Sequence, residues 1–322
     1  MYMFKYICKR IGLMLMTFTI IFTICFVLIK LLPIDTSTVG IGQDKDKLNA
    51  LFEARGYNKP IPEQLVLYVK RMLQGDFGMG INMPEYRFHN VWDVFTEKLP
   101  PTVLINVYSS LLAVPTGIAL GIFAALKKNK WQDHLISTAV MVFISVPSFV
   151  YASLLLYIIC FKLDLLPMTM LSGFDYFTKE MFLSMLPAVF AMSFGSIAGY
   201  TRFTRAELTE VLTSEFMLLA RTKGLTSFQS TVRHGIRNSL LPLMNTIINM
   251  ITHIMGGSLV IETIFAIPGM GGIMVRSINA PDYPVTLAAL MFFSVINLVS
   301  AFIVDMSYGI VDPRIRMGGK KA

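Results

Sequence analysis

Six stretches of the chain run for about 20 residues or more without a charged side chain: 11–29, 99–126, 135–161, 181–201, 238–261 and 283–304. A helix of that length rises by roughly 30 Å, the thickness of a bilayer's hydrocarbon. Each stretch therefore predicts a transmembrane helix, and six of them in 322 residues leave no soluble core to bury them instead. The fourth has Ser184 and Pro187 near its start, and the fifth contains His253. The first is read as a retained anchor, because its apolar run exceeds the ~7–15 residues of a secretory signal and no small-x-small cleavage site follows in Leu31-Leu32-Pro33-Ile34-Asp35.

The intervals complete the plan of an all-α membrane protein of six transmembrane helices. Residues 1–32 form a tail and first helix, and 33–98 an extracytoplasmic loop domain with helical patches at 46–55 and 63–73. So small a loop domain must pack on the helices, since its own core is marginal. Residues 99–310 carry the other five helices, with a loop at 202–241, and 311–322 a tail. Pro115, Pro147 and Pro187 fall inside spans, where each removes a backbone donor and is expected to kink its helix.

Composition agrees: 54% of residues are hydrophobic and 15% charged, against about a quarter charged in soluble domains. Charge then sets orientation. With the N-terminus inside, the four inner pieces hold 16 Lys and Arg against five acids, whereas the outer pieces hold 12 against 13. Both termini and the 202–241 loop are therefore expected in the cytoplasm. The basic excess belongs to topology and the membrane surface, not to nucleic acid. Cys8, Cys25 and Cys160 have no metal or redox spacing and read as apolar fillers.

The 202–241 loop is the informative segment. Ser214 is a good N-cap and Glu215 suits the positive end of a helix dipole. Phe216, Leu219 and Ala220 form an i, i+3, i+4 apolar stripe; Arg221 and Lys223 close the last turn, and Gly224 suits the C′ position. A short helix over 215–223 follows. Thr226 and Gln229 have the spacing of a capping box, which starts the helix leading through Arg233, His234, Arg237 and Pro242 into the fifth span. On position alone, such a helix reads as an interfacial helix lying on lipid.

The run 215–225 (EFMLLARTKGL), followed by 233–242 (RHGIRNSLLP), resembles the signature loop of binding-protein-dependent ABC-importer permeases. It is most similar to the first, B-type, permease of the oligopeptide/dipeptide/nickel branch. Ala220 and Gly224 match the small residues of the general motif. Leu218 stands where the wider superfamily has Glu, while Glu215 takes the acidic position of the peptide branch. The likeness extends through 56–64, 73–78 (LQGDFG), 99–102, 145–149, 165–167, 262–271, 282–284 and 312–316 (DPRIR). It implies a type I ABC-importer (MetI-like) permease fold with an extra N-terminal helix, in the cytoplasmic membrane of a prokaryote.

The resemblance also implies partners: a second homologous permease, two cytoplasmic ATPases that bind ATP and Mg, and an extracytoplasmic substrate-binding protein. The implied ATPase-coupling residues are Glu215, Phe216, Leu219, Ala220, Arg221, Lys223, Gly224, Arg233 and His234. Arg221 and Lys223 have two readings, pairing with acids on the ATPase or lying at lipid phosphates. Gly75, Asp76, Phe77 and Gly78 are either a receptor-docking element or a loop turn packing Phe77 on the helices. Residues 268–272 (PGMGG) read as a surface turn or as a turn dipping toward the pathway.

No phosphate loop occurs, so ATP hydrolysis is assigned to partners, and neither a cofactor nor a metal to this chain. An ion-coupled transporter would place paired ionisable groups near the midplane; here His253 is alone, with Glu262 and Asp305 near span ends. An intramembrane protease would need a base for Ser145 or Ser148, and none lies at helical spacing. The cargo implied is peptide, with nickel chelates and glutathione-like compounds as alternatives. Asn106, Asn245 and Asn249 line the passage or bond between helices.

Overall fold

A computed structural model describes residues 2–31, 49–50, 52–171, 173, 175–252 and 258–311. Among them there is no β-strand, only two isolated bridges, Met79 with Asn90 and Gly80 with Arg87. Among the described residues, four helices are long and apolar enough to cross a membrane: Tyr6–Leu31, Val91–Leu126, Lys179–Leu212 and Tyr283–Ser307. They belong to α1 (Tyr2–Leu31), α3 (Val91–Leu126), α6 (Lys179–Leu212) and α12 (Tyr283–Val311); α2 (Ile61–Met72) lies between the first two.

The third predicted span is not one straight helix. It is α4 (Trp131–Ser145) and α5 (Ser148–Leu155), the latter continued by a π-helical stretch, Leu156–Lys162, and the two halves are bent by 100°. The cause is local: Pro147 excludes the helical conformation at Val146, which is extended at φ −83°, ψ 126°. The other two prolines do not break their helices, because Pro115 and Pro187 lie inside continuous α3 and α6. The fifth predicted stretch falls on α9 (Arg237–Thr252), on 253–257, and on α10 (Leu259–Ile264). Residues 253–257, including His253, lie outside the described residues.

The chain forms two compact units. In the first, Phe22, Phe26 and Ile29 of α1 pack with Tyr283, Leu287 and Met291 of α12 and with Tyr68 of α2. Tyr68 lies 5.9 Å from the Phe22 ring and 5.7 Å from that of Phe26. A second cluster joins Met83, Val91 and Phe95 to Val285 and Ala288 of α12 and to Met270 and Ile273 of α11 (Met270–Asn279). The carboxylate of Asp282, fully buried, accepts from the backbone N–H groups of Ile81, Asn82 and Met83 at 2.7, 2.8 and 3.0 Å. Burial pushes this carboxyl above its ordinary range, and the amides pull the other way.

In the second unit, α6 is the central helix. Its Met185, Ala188 and Val189 pack with Ile105 of α3, Ala152 of α5 and Ile261 of α10. Buried Ser109 of α3 and Ser193 of α6 share a hydrogen bond at 3.1 Å. Nearer the end of α6, glycines make the contact. A Cβ at Gly117 of α3 would lie 2.6 Å from Tyr200 Cβ, and one at Gly121 2.6 Å from Thr204 Cβ. Small residues four apart let two helix backbones approach in just this way.

Candidate functional site

The site residues of the 202–241 segment come together around the end of α6. That helix does not stop at residue 201 as the span pattern suggested; it continues for a further eleven residues to Leu212. The chain then breaks at Thr213 and Ser214, and α7 (Glu215–Thr222) begins. Ser214 occupies the N-cap position, at φ −73°, ψ 155°, but its side chain does not cap α7. Its hydroxyl donates instead to the Val211 carbonyl at 2.6 Å, satisfying an orphan acceptor at the end of α6.

The far end of α7 is closed by a Schellman motif. Leu225 N–H donates to the Ala220 carbonyl at 3.3 Å and Gly224 N–H to that of Arg221 at 3.0 Å. Gly224 has φ +91°, which glycine alone adopts at little expense, and a Cβ there would meet nothing within 4 Å. The glycine is required by the backbone conformation and not by crowding. One residue later the predicted capping box forms: Gln229 N–H donates to Thr226 Oγ1 at 3.2 Å, and Thr226 N–H to Gln229 Oε1 at 3.1 Å. It opens α8 (Ser227–Ser230), which runs on through a π-helical turn, Thr231–Ile236, into α9.

α7 is held by a residue off its apolar stripe. Phe216 and Leu219 of the stripe are 44% and 56% exposed, and Ala220 is half-buried. The buried residue is Met217, which converges with Leu208 and Leu212 of α6 on Gly235; a Cβ at Gly235 would stand 3.5–3.7 Å from all three side chains. Turned outward are Phe216, Leu218 and Leu219, together with Phe228 of α8 and Val232. Glu215, Arg221, Lys223, Gly224, Arg233 and His234 are exposed as well. The result is a short helix, stopped at both ends and pinned by one methionine, that presents an apolar patch edged by cations. Sequence reasoning missed both Met217 and Phe228. An aromatic side chain opening a capped turn within a charged loop was the available signal for Phe228.

The 75–78 residues lie in the first unit and are mostly engaged there. Asp76 Oδ1 accepts from Gly78 N–H at 3.0 Å and from Arg55 Nη1 at 3.1 Å. Phe77 stacks on Trp92 with ring centres 5.5 Å apart, and Gly78, at φ +108°, is buried, where a Cβ would stand 3.1 Å from Pro284 Cβ. Gly75 alone of the four is exposed. Of the other polar candidates, Glu262 is buried in α10, while Asn106 and Asp305 are half-buried. The side chains of Asn245 and Asn249 lie outside the described residues.

Several apolar helices, one of them broken, with an exposed apolar–basic helix carried between two of them, define a multi-pass membrane protein. Residues 117–317 match the model of the family described as binding-protein-dependent transport system inner membrane component, and residues 3–106 match its N-terminal companion. The chain is 36% identical to the dipeptide transport system permease protein DppB of Lactococcus lactis subsp. cremoris, over 98% of this chain and 100% of that protein. It is 33% identical to the DppB of Bacillus subtilis, over 99% and 100%. It is 30% identical to the glutathione transport system permease protein GsiC of Escherichia coli, over 98% and 99%. The chain therefore belongs to the family of binding-protein-dependent transport system inner membrane components, the permease subunits of bacterial ABC importers.

Proposed function

We propose that this permease passes peptides, and that α7 is the element through which an ATPase drives it. The cargo reading rests on likeness along the full chain to two dipeptide permeases, at 36% and 33% identity. A glutathione-type cargo, itself a small peptide, is the second reading, supported at 30%. The observation that carries the coupling role is the outward face of Phe216, Leu218, Leu219 and Phe228 around a short helix that is closed at its C-terminal end by a Schellman motif. An apolar patch with basic edges, on a support that cannot bend, suits a protein groove with an acidic rim. Within the assembly a sister permease completes the pathway, two ATPases hold ATP and Mg, and an extracytoplasmic receptor delivers cargo near the 75–78 turn. This chain hydrolyses nothing itself.

The coupling surface is tested in the assembled importer. Leu219→Glu places a charge in the exposed apolar patch without touching Met217, so the chain should still insert and bind its sister permease. Recovery of the ATPase with the purified membrane subunits should fall by about tenfold or more, the scale of an interface hot spot. Undiminished recovery would reject α7 as the docking element.

Orientation has its own check. The reading puts 202–241 and both termini in the cytoplasm. Phe228 is 77% exposed. A cysteine placed there by Phe228→Cys, with Cys8, Cys25 and Cys160 replaced by alanine, should react with an impermeant maleimide only after the cells are opened. Labelling of intact spheroplasts would put the segment on the wrong side.

A further inference from the structure

Asp133 is an acid 1% exposed in the first turn of α4, where an unpaired carboxylate would be strongly disfavoured. It is held by a fork from Arg205 of α6: Nε donates to Oδ1 at 2.5 Å and Nη2 to Oδ2 at 2.8 Å. Asn129 N–H adds a bond to Oδ2 at 2.9 Å and Ser137 Oγ a longer one to Oδ1 at 3.4 Å. A bidentate pair fixes both distance and angle between the groups it joins. The Asp133 carboxylate is buried while the Arg205 side chain is 32% exposed, and such pairs seldom add stability over apolar side chains of the same shape.

Its place in the fold supplies a geometric reason for the pair. Arg205 lies one turn before Leu208, which is fully buried and meets Met217 of α7 at Gly235. Asp133 stands at the start of α4, whose other end is the 100° break at Val146 and Pro147. Between α4 and α6 a cleft of about 390 Å³ opens along Ile136, Val140, Ile144, Thr201 and Arg202, next to the pair. The fork therefore ties two packed helices together at the edge of that cleft. The fork thus joins α4, the first half of the broken span, to α6 one turn before Leu208, which converges with Met217 of α7 on Gly235.

We propose that Asp133 and Arg205 are a positioning pair for transport, which passes displacement of α7 into α4 and so to the break between α4 and α5. The proposal rests on the coupling role given to α7 above. A strut of this kind shows itself in how much transport each ATP achieves, whereas a merely structural pair shows itself in assembly.

The test uses the whole importer in proteoliposomes, with a radiolabelled alanine dipeptide as probe and phosphate release measured in parallel. Two variants are compared with the wild type. Arg205→Lys keeps the charge and loses the fork; Asp133→Leu with Arg205→Met replaces the pair by apolar side chains of similar volume. Both should assemble at wild-type yield, while ATP hydrolysed per dipeptide imported rises by about fivefold or more. Wild-type stoichiometry in both, or failure of both to assemble, would make the pair a packing feature only and overturn the proposal. ATP-driven uptake by the wild type separates the two levels: its absence overturns the functional reading, and its presence with unchanged variants overturns the strut alone.

Discussion

Gly121→Leu should remove most of the folded protein. At Gly121 even a Cβ would stand 2.6 Å from Thr204 Cβ and 2.8 Å from the Thr201 carbonyl oxygen. One turn earlier, a Cβ at Gly117 would stand 3.0 Å from the Ile197 carbonyl oxygen, and Thr201 Oγ1 donates to the Gly117 carbonyl at 3.2 Å. The atoms in the way are backbone and the first atoms of side chains, which cannot swing aside, so α3 and α6 must separate. Overpacking a fitted core usually costs about 1–3 kcal/mol; with no soft neighbour to yield, the loss here is expected at about 3 kcal/mol or more. The check is the yield of monodisperse chain in detergent after mild heating. It should fall by about a hundredfold or more for Gly121→Leu, since each 1.4 kcal/mol is a factor of ten, and less for Gly121→Ala. Gly199→Leu is the internal control, because nothing lies within 4 Å of a Cβ there. Equal yields for the two leucine variants would show that the close approach of α3 to α6 is not what holds them.

The same crossing explains how a transporter can be built on α6. Its middle is packed by Met185, Ala188 and Val189, and its later turns are locked to α3 by glycines. The end that carries Arg205, Leu208 and Leu212 reaches out to α7 and Gly235. This helix of 34 residues, packed along its length, ends against α7, the element proposed above for coupling. α4 and α5 meet at a 100° bend, where Val146 and Pro147 have broken the hydrogen-bond ladder.

Where the chemistry is local, the sequence is a good guide. Gly224, the Thr226–Gln229 box and the limits of α7 follow from neighbouring residues, and the structure forms each of them. The outward face of α7 was not legible for a physical reason. Eight residues make barely two turns, and Phe216, Met217, Leu218 and Leu219 are apolar on every side. Which of them is buried depends on Gly235, eighteen residues past Met217, and on Leu208 of another helix. Pro147 announced a distortion, but not one of 100°, and it announced the same for Pro115 and Pro187, whose helices continue. The spacing of Gly117 and Gly121 was open to reading, since four-residue glycine spacing in an apolar run is a helix-contact signal. The Asp133–Arg205 pair was hidden by 72 residues of separation and by an overall charge pattern that absorbed both residues into topology.

Asp282→Ala should loosen a segment two hundred residues away in sequence. The carboxylate accepts three consecutive backbone N–H groups, those of Ile81, Asn82 and Met83, where the Ile81 and Met83 side chains are buried. Alanine leaves all three donors without their acceptor. A buried group deprived of its partner costs about 1–3 kcal/mol, so about 3–6 kcal/mol is expected locally once water relieves part of it. Asp282→Asn keeps one oxygen for the three donors and, being neutral, escapes the desolvation that pushes the acid upward; about 1 kcal/mol is expected for it. Hydrogen exchange of the peptide covering 81–83 separates these outcomes. Alanine should accelerate it by about a hundredfold or more, since each 1.4 kcal/mol is tenfold, and asparagine by about tenfold or less. Slow exchange retained in the alanine variant would mean that those amides are held by something other than this carboxylate.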